Sequence, residues 1–375
     1  MSTPPPVPYL DLATEFADLL PEWQAQLADI GARGAFILGA NVQAFEQEAA
    51  AYLGAAHAVG VANGTDALVL ALRALGIGPG DEVITTPFTF FASAEAISTV
   101  GATPVFADID HASFNLDPAS VAARITPRTR GLMPVHIFGH PCDMTALGQL
   151  ASDHELVVVE DLAQAFGAEW NGRRVGSFGD AAGTSFYPTK VLGGYGDGGM
   201  LFCRDAGVDA RVRHLRNHGA TAPFIHDVVG CNSRLDEVQA ALLRLKLRRI
   251  EEAVAGRRAV AAAYAERLDG VDGLHLPPDP AGGRHAYNLY TVRIPGGRRD
   301  AVRAHLGEHG VPTSQCYPQG LQLQAVYADL GYRAGDLPVV DQACGETLSL
   351  PIFPGMDTAQ IERVCAVLAA GLARA

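Results

Sequence analysis

Hydrophobic and polar positions along this chain fall into two regimes. Between residues 58 and 204, short apolar runs alternate with stretches of helical spacing. Residues 58–62, 82–86, 104–107, 132–136 and 156–159 read as strands, and residues 65–75 as a helix stopped by Gly76 and Gly78. Strands separated by helices predict a largely parallel sheet covered on both faces. After Asn232 the texture changes. Leu235, Val238, Leu242, Leu245 and Ile250 recur at helical spacing, and helical composition continues, interrupted by Gly256, to about residue 268. Pro277-Pro278-Asp279-Pro280 with Gly282-Gly283 marks a loop. A strand over 290–294, a helix over 299–309 and a last helix over 358–372 then suggest a smaller α/β unit. The expected organisation is a large α/β domain over 1–248, N-terminal segment included, and a small C-terminal domain over 249–375.

Composition narrows the function. The net charge of −13, from 28 basic and 41 acidic residues, argues against a nucleic-acid binder, which needs a basic face. The six cysteines show no C-x-x-C pair and no zinc spacing, so no metal site is expected. The Pro-rich start, residues 1–8, lacks the pattern of a signal peptide, and no apolar run reaches the roughly 18 residues of a membrane span. A reducing cytoplasm is the simplest expectation.

Candidate chemistry gathers at predicted strand exits, where open α/β sheets bind ligands. Gly64-Thr65-Asp66 opens a helix directly after a strand; free N–H groups there suit a phosphate, although simple capping would use the same residues. Asp161 ends the run Leu156-Val157-Val158-Val159-Glu160. Alternation sends Glu160 and Asp161 to opposite faces, so only one acid can face a ligand, and Asp161 is the choice over a helix-capping role. Gln164 lies on the following turn. Lys190 closes Thr184-Ser185-Phe186-Tyr187-Pro188-Thr189, and the glycine-rich 193–199 segment behind it could pass close to a ligand. Phe88, Phe90 and Phe91 read as core by default, yet one of them could stack on a flat ring. A lysine, a strand-end acid and a helix N-terminus are the set that pyridoxal 5'-phosphate (PLP) needs: an amine for its aldehyde, a carboxylate for its ring nitrogen and an anion site.

Taken in order, these pieces resemble the sugar-nucleotide aminotransferase family of fold type I PLP enzymes, often called DegT/StrS. The resemblance runs from Tyr9-Leu10-Asp11-Leu12 through Phe36-Ile37-Leu38-Gly39, Asn63-Gly64-Thr65-Asp66-Ala67-Leu68 and Glu160-Asp161-Leu162-Ala163-Gln164 to Ser185-Phe186-Tyr187-Pro188-Thr189-Lys190. It continues to Gly230-Cys231-Asn232-Ser233-Arg234 and Leu348-Ser349-Leu350-Pro351.

The resemblance implies that Lys190 carries the cofactor covalently and shuttles the proton. Asp161 pairs with the ring nitrogen, Gln164 contacts the ring hydroxyl and Phe90 stacks on the ring. Gly64, Thr65, the backbone of Asp66 and Ser185 hold the phosphate, and Asn232 is donated to the neighbouring subunit's phosphate site. It therefore implies a homodimer with shared active sites, no membrane or nucleic-acid partner, and a ping-pong transfer from L-glutamate to a nucleotide-linked keto sugar. Arg234 and Tyr317 are candidate substrate contacts.

Where many members carry His-Tyr-Pro and later Leu-His, this chain has Cys316-Tyr317-Pro318 and Leu321-Gln322. Phe166, in place of a frequent His, and the Thr86-Pro87-Phe88-Thr89 run point to 3-keto sugars or 3-keto uronic acids. An NDP-4-keto-6-deoxy sugar is the alternative. A PLP-dependent dehydratase is disfavoured by Lys190, since the resemblance implies that the related sugar dehydratases carry His at this position. A regulator that kept the fold would need a DNA-binding segment, and this acidic chain shows no helix-turn-helix or basic patch. A nicotinamide dehydrogenase would need G-x-G-x-x-G after the first strand, which this chain does not have.

Overall fold

Seven strands form the central sheet of the computed structural model, which describes residues 7–375. The Pro-rich start read at residues 1–8 lies, up to residue 6, outside the described residues. In chain order the strands are β1 (His57–Val61), β2 (Glu82–Thr85), β3 (Thr103–Phe106), β4 (Thr129–Met133), β5 (Val157–Asp161), β6 (Ala181–Ser185) and β7 (Gly199–Cys203). Across the sheet they run β3-β2-β4-β5-β6-β7-β1. Every neighbouring pair from β3 to β6 is parallel, and β7 is antiparallel to both β6 and β1. The largely parallel sheet expected from the sequence is thus present, with β7 as its one reversed strand. A five-residue buried run encodes burial but not direction.

The strands are apolar because helices cover both faces. On one face Leu68 and Leu72 of the helix Gly64–Ala74 pack on Val59, Val83, Val159 and Leu201. Burying each such leucine contributes about 1.5–3 kcal/mol. On the other face Val42, Phe45 and Ala49 of the helix Ala40–Leu53 meet Leu162, Phe186 and Phe202.

One strand boundary differs from the sequence reading, for a local reason. The strand expected over 132–136 sits at Thr129–Met133. Pro134 has no N–H to give the ladder, so the chain leaves it there. Its carbonyl still accepts from Asp161 N at 2.8 Å, and His136 N donates to Asp161 O at 3.1 Å, which ties the acid-bearing strand end to its neighbour. The helix Ile250–Leu268 begins just after the expected boundary at 248/249 and joins the two cores. Ile250 and Val254 lie in the large core, whereas Val260, Tyr264 and Leu268 lie in the core of the smaller unit. That smaller core is built on the antiparallel strands Tyr290–Arg293 and Thr347–Leu350, and Val7 packs into it from the N-terminal side. No helix among the described residues is long and apolar enough to cross a membrane.

Candidate active site

A cavity of about 550 Å³ opens at the C-terminal ends of the parallel strands. Asp161 at the end of β5, Ser185 at the end of β6 and Gly64 and Thr65 after β1 all line it, as do Gln164, Phe90 and Lys190. Sheet topology makes this convergence possible: β5 and β6 are direct neighbours, and β1 reaches the same edge because the reversed β7 restores its direction.

Asp161 is buried and held from two sides. Its Oδ2 accepts from Ser93 Oγ at 2.7 Å and its Oδ1 from Ala163 N at 3.1 Å. Ser93 is itself 3.0 Å from Thr89 Oγ1. Neither residue was foreseen from the sequence. Ser93 sits in an Ala-rich first turn of the helix Ala92–Thr99, where a serine reads as ordinary filler. Glu160 points away from the cavity. Its fully buried carboxylate accepts from His136 Nε2 at 3.0 Å and from the N–H groups of Gly176, Phe178 and Gly179. Burial alone would raise its pKa, but the His136 contact and the Gly179 and Gly176 N–H groups hold it below the ordinary value. Glu160 therefore clamps the loop behind β5.

Lys190 is enclosed by protein on most sides yet faces the cavity. Burial lowers its pKa, against the opposing pull of Asp161 and Cys316. Its amine has no hydrogen-bond partner among the described residues. A lysine so placed offers a neutral amine more readily than a surface lysine does.

The helix Gly64–Ala74 begins in the cavity wall. Asn63 is its N-cap, and its Oδ1 accepts from Asp66 N at 2.8 Å. The N–H groups of Gly64 and Thr65 have no intrahelical acceptor, whereas that of Asp66 is taken by the cap and Asp66 does not line the cavity. A Cβ at Gly64 would come 2.7 Å from Ser185 Cβ, so glycine brings the helix end against Ser185. These free N–H groups and two hydroxyls fit the phosphate of PLP. A flat ring finds Phe90, 63% exposed at the mouth, while Phe88 is fully buried. Gln164 Oε1 accepts from Phe138 N at 2.9 Å and its Nε2 donates to Tyr317 Oη at 2.7 Å, which fixes its amide at the cavity edge.

Other candidates lie elsewhere. Asn232 is exposed and outside the cavity of its own chain, and Arg234 donates to Asn217 Oδ1 at 2.8 Å, also outside it. Gln322 is buried and donates to Asp341 rather than lining the cavity. Phe166 is core, stacked on Tyr52 at 5.3 Å. The glycines of the 193–199 segment pack on protein, a Cβ at Gly193 coming 2.5 Å from Pro188 O and one at Gly199 2.3 Å from Asn63, while Asp197 of the same segment lines the cavity.

Comparison with known proteins agrees with this geometry. The DegT/DnrJ/EryC1/StrS aminotransferase family matches residues 18–369. A Geobacillus stearothermophilus protein named pleiotropic regulatory protein is 46% identical over 96% of both chains. The UDP-N-acetyl-3-dehydro-alpha-D-glucosamine 3-aminotransferase of Acidithiobacillus ferrooxidans is 45% identical over 96% of this chain and 97% of its own. The crystal structure of S. venezuelae DesV in complex with a ketimine intermediate superposes with a TM-score of 0.96 at 44% identity, covering 99% of this chain and 100% of that one.

Proposed function

For a chain that belongs to the DegT/DnrJ/EryC1/StrS aminotransferase family, of fold type I and dependent on PLP, we propose one reaction: transfer of the amino group of L-glutamate to the C3 ketone of a nucleotide-linked sugar. The observation that carries it is the meeting of Lys190, Asp161 and the free helix N-terminus in one cavity. When bound, PLP supplies an aldehyde carbon that accepts nitrogen and a ring that withdraws electrons. The protein does the rest. Lys190 Nζ holds the cofactor and then moves a proton between carbons. Asp161 keeps the ring nitrogen protonated, with Ser93 and Ala163 fixing its carboxylate. Gly64, Thr65 and Ser185 bind the phosphate, Gln164 meets the ring hydroxyl, and Phe90 covers the ring and excludes water. Glutamate leaves as 2-oxoglutarate before the sugar is aminated, so the two substrates share one site in turn.

The C3 position is supported by the Acidithiobacillus relative, whose name specifies a 3-dehydro sugar. The regulatory name of the Geobacillus relative is answered by the cavity, since regulation by binding has no need of an amine facing a clamped acid. A panel of UDP- and dTDP-linked 3-keto and 4-keto sugars, offered to glutamate-loaded enzyme, tests the reading. Stoichiometric 2-oxoglutarate and a new amine at C3 are expected. Amination only at C4, or loss of water without amination, overturns it.

The active unit in this reading is a homodimer, and the six unpaired cysteines of each chain suit a reducing cytoplasm. Apart from Lys190, no cationic side chain among the described residues lines the cavity, so a dianionic phosphate calls for help from a partner subunit. Exposed Phe224, Ile225, Val228 and Val229 lie within the 217–236 segment that carries Asn232, exposed Phe36 and Ile37 stand beside its end where Ile37 pairs with Asp236, and such apolar surface suits a partner subunit. Asn232→Ala is expected to weaken cofactor binding by about tenfold to a hundredfold, the cost of one hydrogen bond to a charged group. Mixed dimers of Asn232→Ala and Lys190→Ala subunits then hold one intact site and recover about half the wild-type activity. Subunit-exchange assays that show no recovery in isolated mixed dimers exclude the shared site.

A further inference from the structure

We propose that the end of the helix Arg299–Glu308 is a binding site for a borderline divalent transition ion, Zn²⁺ or a close neighbour, formed by His305, Glu308 and His309. Nothing in the transamination chemistry uses these residues. They stand at helix positions i, i+3 and i+4, which share one face. One ring nitrogen from each histidine and a Glu308 carboxylate oxygen all lie within 4.8 Å of one another. Ligands about 2.0–2.2 Å from a tetrahedral ion stand roughly 3.5 Å apart, so small side-chain rotations complete the set.

Two features set the rings up in advance. His309 Nδ1 lies 2.8 Å from His305 O, so its N–H donates there and Nε2 keeps the lone pair. A backbone carbonyl behind a ligating imidazole is the arrangement that fixes its tautomer in metal sites. His305 is only 8% exposed, and its ring rests on Gly371 of the last helix, where a Cβ would come 3.0 Å from Cδ2. Glu308 and His309 remain open to solvent, which gives the ion an entry path. The helix C-terminus favours a cation. Arg363, donating to His309 O, and Arg374 are the nearby opposing charges. Two imidazoles and one carboxylate prefer Zn²⁺, Ni²⁺ or Cu²⁺ to Mg²⁺ or Ca²⁺, and three protein ligands leave a position for water.

Calorimetric titration of ZnCl₂ into the tag-free, PLP-loaded enzyme tests the site. One equivalent per chain is expected, with no heat from MgCl₂. His309→Ala, an exposed change, should weaken zinc binding at least tenfold. Cu²⁺ electron paramagnetic resonance should show two-nitrogen hyperfine structure that falls to one nitrogen in that variant. Absence of zinc binding overturns the proposal. So does an isotherm unchanged by His309→Ala, which would place the metal elsewhere, for example on the partly exposed thiols of Cys231 and Cys316.

Discussion

Lys190→Ala is expected to lower kcat by at least about 10³-fold, the scale of a lost general base, while the protein folds as before. The side chain makes no hydrogen bond that the fold would miss, and only its backbone N–H is used, donating to Tyr187 O at 2.9 Å. Stability gives a second, independent readout. Burial depresses the Lys190 pKa, so the folded state disfavours the ammonium that the unfolded chain carries freely. Between the depressed and the ordinary pKa the unfolded state binds more protons, so stability rises with pH through that window. The penalty is fully present below the folded pKa and vanishes above the unfolded one. PLP-free Lys190→Ala should therefore melt at or above the wild-type temperature at neutral pH, and the gap should close as pH rises towards the ordinary lysine value. Differential scanning fluorimetry of both proteins from pH 7 to 10, beside steady-state kinetics, checks both effects. A variant that still aminates within tenfold of wild type removes Lys190 from the chemistry. One that melts well below wild type makes it structural.

How much of this was legible in the sequence depended on whether a residue's role is local. The exits of β1 and β5 could be placed because apolar runs end there in Asn63-Gly64-Thr65 and Glu160-Asp161, and capping and alternation are local rules. Direction is not local: β7 reads as buried in either sense, and its reversal follows only from pairing with both β6 and β1. Ser93 touches Asp161 across 68 positions of sequence, so no spacing rule reaches it. Asp66 shows the converse. Its place in a phosphate-type turn is plain, but the Asn63 side chain occupies its N–H, a competition visible only in three dimensions. The glycines of 193–199 were legible as close-approach residues, yet what they approach is backbone and the side chains of Gln239, Leu235 and Phe186, and it is Asp197 between them that lines the cavity. The candidate substrate positions are least legible because they sit on irregular chain. Tyr317 reaches Gln164 from a positive-φ position, while Gln322, five residues on, turns inward to Asp341.

Asp161→Asn should cost about 10²–10³-fold in kcat, the size of effect seen when one aimed electrostatic partner is removed from a catalytic site. The substitution is nearly isosteric, and the hydrogen-bond pattern can adapt. In wild type the Ser93 hydroxyl donates to Asp161 Oδ2, and the Thr89–Ser93 contact allows either hydroxyl to donate. An amide at position 161 can donate to Ser93 Oγ while Ser93 donates to Thr89, so the local fold survives. What the amide lacks is charge. It cannot hold a proton on the ring nitrogen of PLP, and the ring then withdraws electrons poorly. Ser93→Ala separates charge from orientation: it keeps the carboxylate and removes one bond that aims it. That should cost about tenfold to a hundredfold at most, since one hydrogen bond to a charged group contributes about 1.5–3 kcal/mol. Steady-state kinetics and the absorbance of the bound cofactor in the two variants give the comparison. If Asp161→Asn falls no further than Ser93→Ala, the acid serves only to shape the cavity, and the electronic role assigned to it here is lost.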